Sequence, residues 1–109
     1  MANTFKLKTK ASVGVSTVGI YTAPAATTTV VIGITLSNTS GSGVNVGVGI
    51  TRAGTTEDVK LLKNAPIPQG SSLEFMGGNK VVLEATDTVT VDSDTNNSVD
   101  ASLTIMEIT

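Results

Sequence analysis

Asp92-Ser93-Asp94-Thr95-Asn96 sets oxygen-bearing side chains at alternate positions, the spacing with which a calcium loop opens, and Asp100 occupies a further ligand position. The pattern then fails. Asn97 stands where the sharp turn of such a loop needs glycine, and Leu103 where a bidentate glutamate must close the shell. The segment therefore reads as a solvated hairpin turn, and no metal is expected. Glu74, Glu84, Asp87, Asp92 and Asp94 would suffice in number for the paired carboxylates of glycoside hydrolysis. That chemistry also needs a cleft with aromatic platforms for sugar rings, and the chain has no Trp and a single Tyr. Histidine and cysteine are both absent, which removes the usual general base near neutral pH, the usual nucleophile and base pairs, and nearly every zinc site. Gly41-Ser42-Gly43 and Gly77-Gly78 lack the lysine and following helix of a phosphate-binding loop and read as turns. No catalytic residue and no cofactor are expected, and the chain is read as a binding or structural protein, not an enzyme.

Residues suited to contacts are few. Lys6, Lys8 and Lys10 alternate and so project from one side of an early strand, where they serve either as a basic contact or as protection of a sheet edge. Tyr21 and Arg52, the single tyrosine and the single arginine, are of the types that anchor interfaces. Seven basic against nine acidic residues give a net charge of −2, with no electrostatic drive for holding nucleic acid.

These residues must be positioned by strands. Thr29 to Ser37 alternates, with Val30, Ile32, Ile34 and Leu36 on one face, which makes Ile32 a core residue; Val44, Val46, Val48 and Ile50 repeat the pattern after the turn-rich 38–43 stretch. The two read as a hairpin. Gly47 and Gly49 on the opposite face of the second strand signal either a bent or bulged strand or a close approach by another backbone. Asp58 to Leu62 reads as a strand. Ser72 to Phe75 and Lys80 to Glu84 read as a second hairpin around Gly77-Gly78, and Thr88 to Asp92 with Val99 to Ile105 as a third. Met106 and Ile108 then fall on the polar face, so either a bulge resets the register or that end of the strand is covered on both sides. Phe5 to Lys8, Ala11 to Val15 and Val18 to Tyr21 supply one or two early strands, and the segment Glu57 to Asn64 is too short for a stable helix.

Roughly seven to nine short strands with turn signals about every ten residues indicate an all-β single β-sandwich, immunoglobulin-like or jelly-roll, with little or no helix. The 109 residues form one domain, 1–109, in which 1–10 is an N-terminal arm or edge strand. Only three residues are aromatic, Phe5, Tyr21 and Phe75, so the core must be aliphatic; charged residues are 15%, which leaves a surface of Ser, Thr, Asn and Gly. The start lacks the charge and apolar pattern of a signal peptide, and no apolar run is long enough to span a bilayer as a helix; a protein made in a cytoplasm without membrane partners is expected.

The stretch Ala65-Pro66-Ile67-Pro68-Gln69-Gly70 through Gly77-Gly78-Asn79-Lys80-Val81-Val82-Leu83-Glu84-Ala85-Thr86-Asp87-Thr88-Val89 resembles a module of small virion proteins from tailed phages. Ile20-Tyr21-Thr22-Ala23-Pro24-Ala25 and the closing Ser98 to Ile108 resemble it too. The resemblance implies a structural component of aquatic phage particles, including those of cyanobacterial phages, and carries over no catalytic residue. A capsid decoration or cement protein is the leading expectation, with the major capsid protein or other virion proteins as partners and a homo-oligomer, a trimer, as its form. A neck, tail or fibre component is the alternative within the virion. A cellular immunoglobulin-like adhesion or ligand-binding module is the alternative outside it.

Overall fold

A computed structural model describes residues 3–53, 57–74 and 80–109. Nine antiparallel strands run through them: β1 (Asn3–Val13), β2 (Val18–Thr22), β3 (Thr28–Asn38), β4 (Val44–Arg52), β5 (Glu57–Ile67), β6 (Ser72–Glu74), β7 (Val81–Leu83), β8 (Thr88–Ser93) and β9 (Val99–Ile108). No helix occurs among the described residues. One sheet has the order β1-β9-β3, with β6 and β7 sharing the far side of β3; the other has the order β2-β8-β4-β5. Counting β6 and β7 as one interrupted position, this is the eight-position, doubly Greek-key order of a jelly roll, which settles the connectivity against an immunoglobulin-like one.

The expected strands are present, but the expected hairpins are not. β3 and β4 lie in different sheets, as do β8 and β9, and β6 and β7 each pair with β3 and not with one another. Alternation reports that a strand has one buried face; it carries no information on which strand lies beside it. Here turn-rich segments carry the chain across the sandwich from sheet to sheet, and among the described residues β4 with β5 is the one sequential pair with a shared ladder. The Gly77-Gly78 turn and Phe75 lie outside the described residues.

The core fills the space between the sheets with Val31, Ile34, Leu36, Leu83, Leu103 and Ile105 from one side and Val44, Val46, Val48, Val89 and Val91 from the other. The expected phase of β3 is corrected by a bulge. Val31 pairs with Ile105 and Gly33 with Thr104, so Ile32 is an extra residue, and the buried set changes from Thr29 and Val31 to Ile34, Leu36 and Asn38. Ile32 is consequently half-buried and not a core residue, and Val30 faces outward with it. Gly33, around which a Cβ would meet nothing within 4 Å, supplies the loose backbone position at which the phase slips.

Of the two readings of Gly47 and Gly49, the close approach of a backbone holds, and the bulges lie in the neighbouring strand and not in the one that carries the glycines. β5 is bulged twice against β4, and Asn64 adopts φ 55°; the bent strand brings its carbonyls over the two glycines. A Cβ on Gly49 would lie 2.8 Å from the Val59 carbonyl oxygen, and one on Gly47 would lie 3.3 Å from that of Leu62 and 2.5 Å from Asp92 Oδ1. The approaching backbone is the chain's own.

Candidate functional site

Three of the contact candidates, Lys6, Lys8 and Tyr21, come together at one margin of the sandwich. β1 is an edge strand whose ladder with β9 sets Lys6 beside Ile105, Lys8 beside Leu103 and Lys10 beside Ala101. Those β9 residues point into the core, so the lysines project toward the sandwich interior and not away from it. Charges turned inward along an edge strand are a known protection against edge-to-edge pairing. Lys6 Nζ lies 2.8 Å from Glu107 Oε1, and Lys8 Nζ sits 5.9 Å from the centroid of the Tyr21 ring.

Glu107 is the residue that sequence reading missed. Its place in β9 continues the inward series Leu103 and Ile105, so a carboxylate enters the buried side where an apolar residue is expected. It is satisfied there by Lys6 and by the Tyr21 hydroxyl, which donates to Oε2 at 2.6 Å and lies 2.8 Å from Thr29 Oγ1. The Lys6 bond, followed by that from Tyr21, holds the Glu107 carboxyl below its ordinary range; burial, and then the bond to Glu107, push the Tyr21 phenol up to about 12. A phenol kept protonated and a carboxylate kept ionised, each facing the other in a packed interior, make a clip between edge strand and core and not an acid and base poised for proton transfer.

Arg52 lies apart from this cluster, at the end of β4. Its Nη2 pairs with Glu84, and its Nε is 2.9 Å from Asp87 Oδ2 without the alignment of a hydrogen bond, so the second contact is purely Coulombic. Asp87 also accepts from the Glu84 backbone N–H at 3.0 Å and thereby closes the turn before β8. The residue works inside the fold. The calcium-loop candidates are dispersed: Asp92 accepts from Thr17 on the outer side of one sheet, Asp94 from the Asn45 N–H, and Asp100 from the Ser12 N–H on the outer side of the other. Among the described residues no three carboxylates converge as metal ligands. A shallow hollow of about 250 Å³, lined by Thr9, Thr35, Ser37, Asp100 and Ser102 among others, is smaller than the usual ligand cleft of roughly 300–1,000 Å³.

The feature with the plainest capacity for contact is the outer face of the β1-β9-β3-β7 sheet. Phe5 pairs with Met106, Met106 with Val30, and Val30 with Val82, so four apolar side chains stand in one row across four strands. Phe5 is 69% exposed and Val82 59%. Leu7, also exposed, and half-buried Ile32 and Ile108 flank the row. The strand end thus continues without a reset: Met106 is half-buried on the outer face between the apolar Phe5 and Val30, and Ile108 is half-buried there between Asn3 and Thr28. In the sequence the visible sign was that Phe5 and Leu7 share the face opposite to the lysines.

No protein-family model matches the chain. No curated protein matches it. Among solved structures it is similar to a chain of the Bacillus endospore appendages, described as a family of disulfide-linked pili, with a TM-score of 0.57, 16% identity, and coverage of 99% of this chain and 87% of that one. It is also similar to a chain of the T13 IBDV viral particle, with a TM-score of 0.58 and 13% identity, over 96% of this chain and 30% of that one. At such identities the likeness is one of fold. No helix among the described residues is long and apolar enough to cross a membrane.

Proposed function

We propose that this chain is a non-catalytic structural subunit of a virion, present in many copies, and most specifically a decoration protein that docks on the head lattice of a tailed phage. The observation that carries the reading is the apolar row Phe5-Met106-Val30-Val82 on an exposed sheet face, set on a jelly roll in which the chemically able side chains are engaged with one another. Large exposed apolar patches on a small domain mark surfaces that are covered in use. The likeness to a viral-particle chain and the resemblance of the 65–89 stretch to small phage virion proteins support the same reading. Repetition supplies strength: a contact weak on its own becomes firm when each unit touches several neighbours.

A second reading, a neck, tail or fibre component, is favoured by the appendage likeness, because it covers nearly the whole of a subunit from a filament and not one part of a larger chain. The chain has no cysteine, so copies joined in this way would be held without disulfides. The two readings part on stoichiometry. If the decoration reading is right, particles whose tails have been sheared off retain the protein with the DNA-filled heads in lattice-scale copy number, and heads lacking it rupture at a lower temperature. Recovery of a few copies with the tail or neck fraction overturns it in favour of the second reading. Absence from particles overturns both.

A further inference from the structure

We infer that the outer face of the β1-β9-β3-β7 sheet is a self-docking surface, on which a second copy of this chain packs sheet face to sheet face about a twofold axis running along the strands. The order of the row leads to this partner. Read across the strands it runs Phe5, Met106, Val30, Val82, two large side chains followed by two small ones. A twofold along the strands reverses the row upon itself, so that Phe5 meets Val82 of the second copy and Met106 meets Val30. Each large side chain then faces a small one, the alternation that lets facing layers interdigitate, and each contact occurs twice, as an isologous interface requires.

Charge gives the same answer. The paired positions of this face carry no Lys or Arg: Lys6, Lys8 and Lys10 project to the other side of β1. Its carboxylates, Glu74 and Asp100, lie in rows beyond the apolar one, in which Glu74 lines up with Thr35, Ser102 and Thr9, and Asp100 with Ser37. Reversal of those rows sets Glu74 against Thr9 and Asp100 against Ser37, so no like charges meet. Lys80 and Glu84 flank β7 outside the paired rows, and Glu84 is turned away to Arg52. The large-to-small order is matched when the row is reversed upon itself, so the apolar surface that marks an assembly subunit is covered here by a second copy.

The patch is four strands wide and about six residues long, or roughly 20 Å by 20 Å, so pairing covers on the order of 800 Å² in total, below the roughly 1,200–2,000 Å² of stable interfaces and in the range of transient ones. The dimer is therefore weak and concentration-dependent, and it differs from the expected trimer. Self-docking stands whether or not the chain belongs to a virion.

The test is sedimentation of the purified full chain over a wide concentration range, with Phe5→Glu, Val82→Lys and the double variant; both sites are exposed, and circular dichroism confirms that each variant folds. The wild type is expected to dimerise reversibly, each single variant to weaken the dimer about tenfold or more, and the double variant to recover it, because Glu at position 5 would face Lys at position 82 of the other copy. A wild type that stays monomeric throughout overturns the inference. So does a dimer or trimer indifferent to Phe5→Glu, or a double variant no better than the singles. A wild type that stays monomeric yet is present on heads in lattice-scale copy number would refute this inference while leaving the decoration reading standing, and a reversible wild-type dimer of a protein absent from heads would do the opposite.

Discussion

The Tyr21 hydroxyl donates to Glu107 Oε2 at 2.6 Å across the interior, and the same carboxylate receives Lys6 from the edge strand at 2.8 Å. A residue of β2 in one sheet thereby reaches β9 in the other, and through Glu107 it is tied to β1. Removing the hydroxyl by Tyr21→Phe leaves half of a buried carboxylate unpaired. The expected cost is about 1–3 kcal/mol, read as a lower denaturant midpoint at unchanged m-value; a midpoint equal to wild type would mean that water replaces the phenol.

The clip also sets two limbs of the stability profile against pH. Glu107 is depressed in the folded chain relative to the unfolded one, so its contribution is present above the ordinary carboxylate pKa and is lost as pH falls through the folded value. Tyr21 is raised from 10.0 to about 12, so its contribution is complete below the unfolded pKa and disappears as pH climbs from about 10 through about 12. Because the chain has one tyrosine, its ultraviolet absorbance titrates this site alone. A midpoint near 10 in the folded protein would contradict the burial and bonding described, and Tyr21→Phe should flatten the alkaline limb.

Two isoleucines two residues apart should behave oppositely. Ile34 is 1% exposed, and Ile34→Asp buries a carboxylate with no partner, which should abolish folding. Ile32, the extra residue of the bulge, faces the outer side, so Ile32→Asp should fold with the β-type circular dichroism of the wild type. Loss of folding in both would place the bulge elsewhere.

Glycines on β4 and β3, in opposite sheets, supply a further contrast. Gly49→Ala drives a methyl to within 2.8 Å of the Val59 carbonyl and should cost about 1–3 kcal/mol by overpacking. Gly33→Ala meets nothing within 4 Å and should shift the melting temperature little or upward. Thermal unfolding of the pair decides it; equal effects would show that β5 does not lie over β4 as described.

From the residues alone, the all-β class, the aliphatic core and most strand positions could be read, because alternation such as Val99, Ala101, Leu103 and Ile105 is a local consequence of a half-buried pleat. The strained turn at Asn97, φ 51°, was legible in the same way, from a side chain that tolerates left-handed backbone. Only the tertiary structure decided which strands are neighbours, since turns that join two strands of a sheet and turns that cross between sheets use the same residues. It also decided the phase of β3: a single extra residue at Ile32 exchanges the buried and exposed sets on either side of it, and no local rule locates a bulge within an unbroken apolar alternation. From that slip follows the outward position of Val30. The row it shares with Phe5, Met106 and Val82 joins residues from both ends and the middle of the chain, and such a surface exists only once long-range pairing has set four strands side by side.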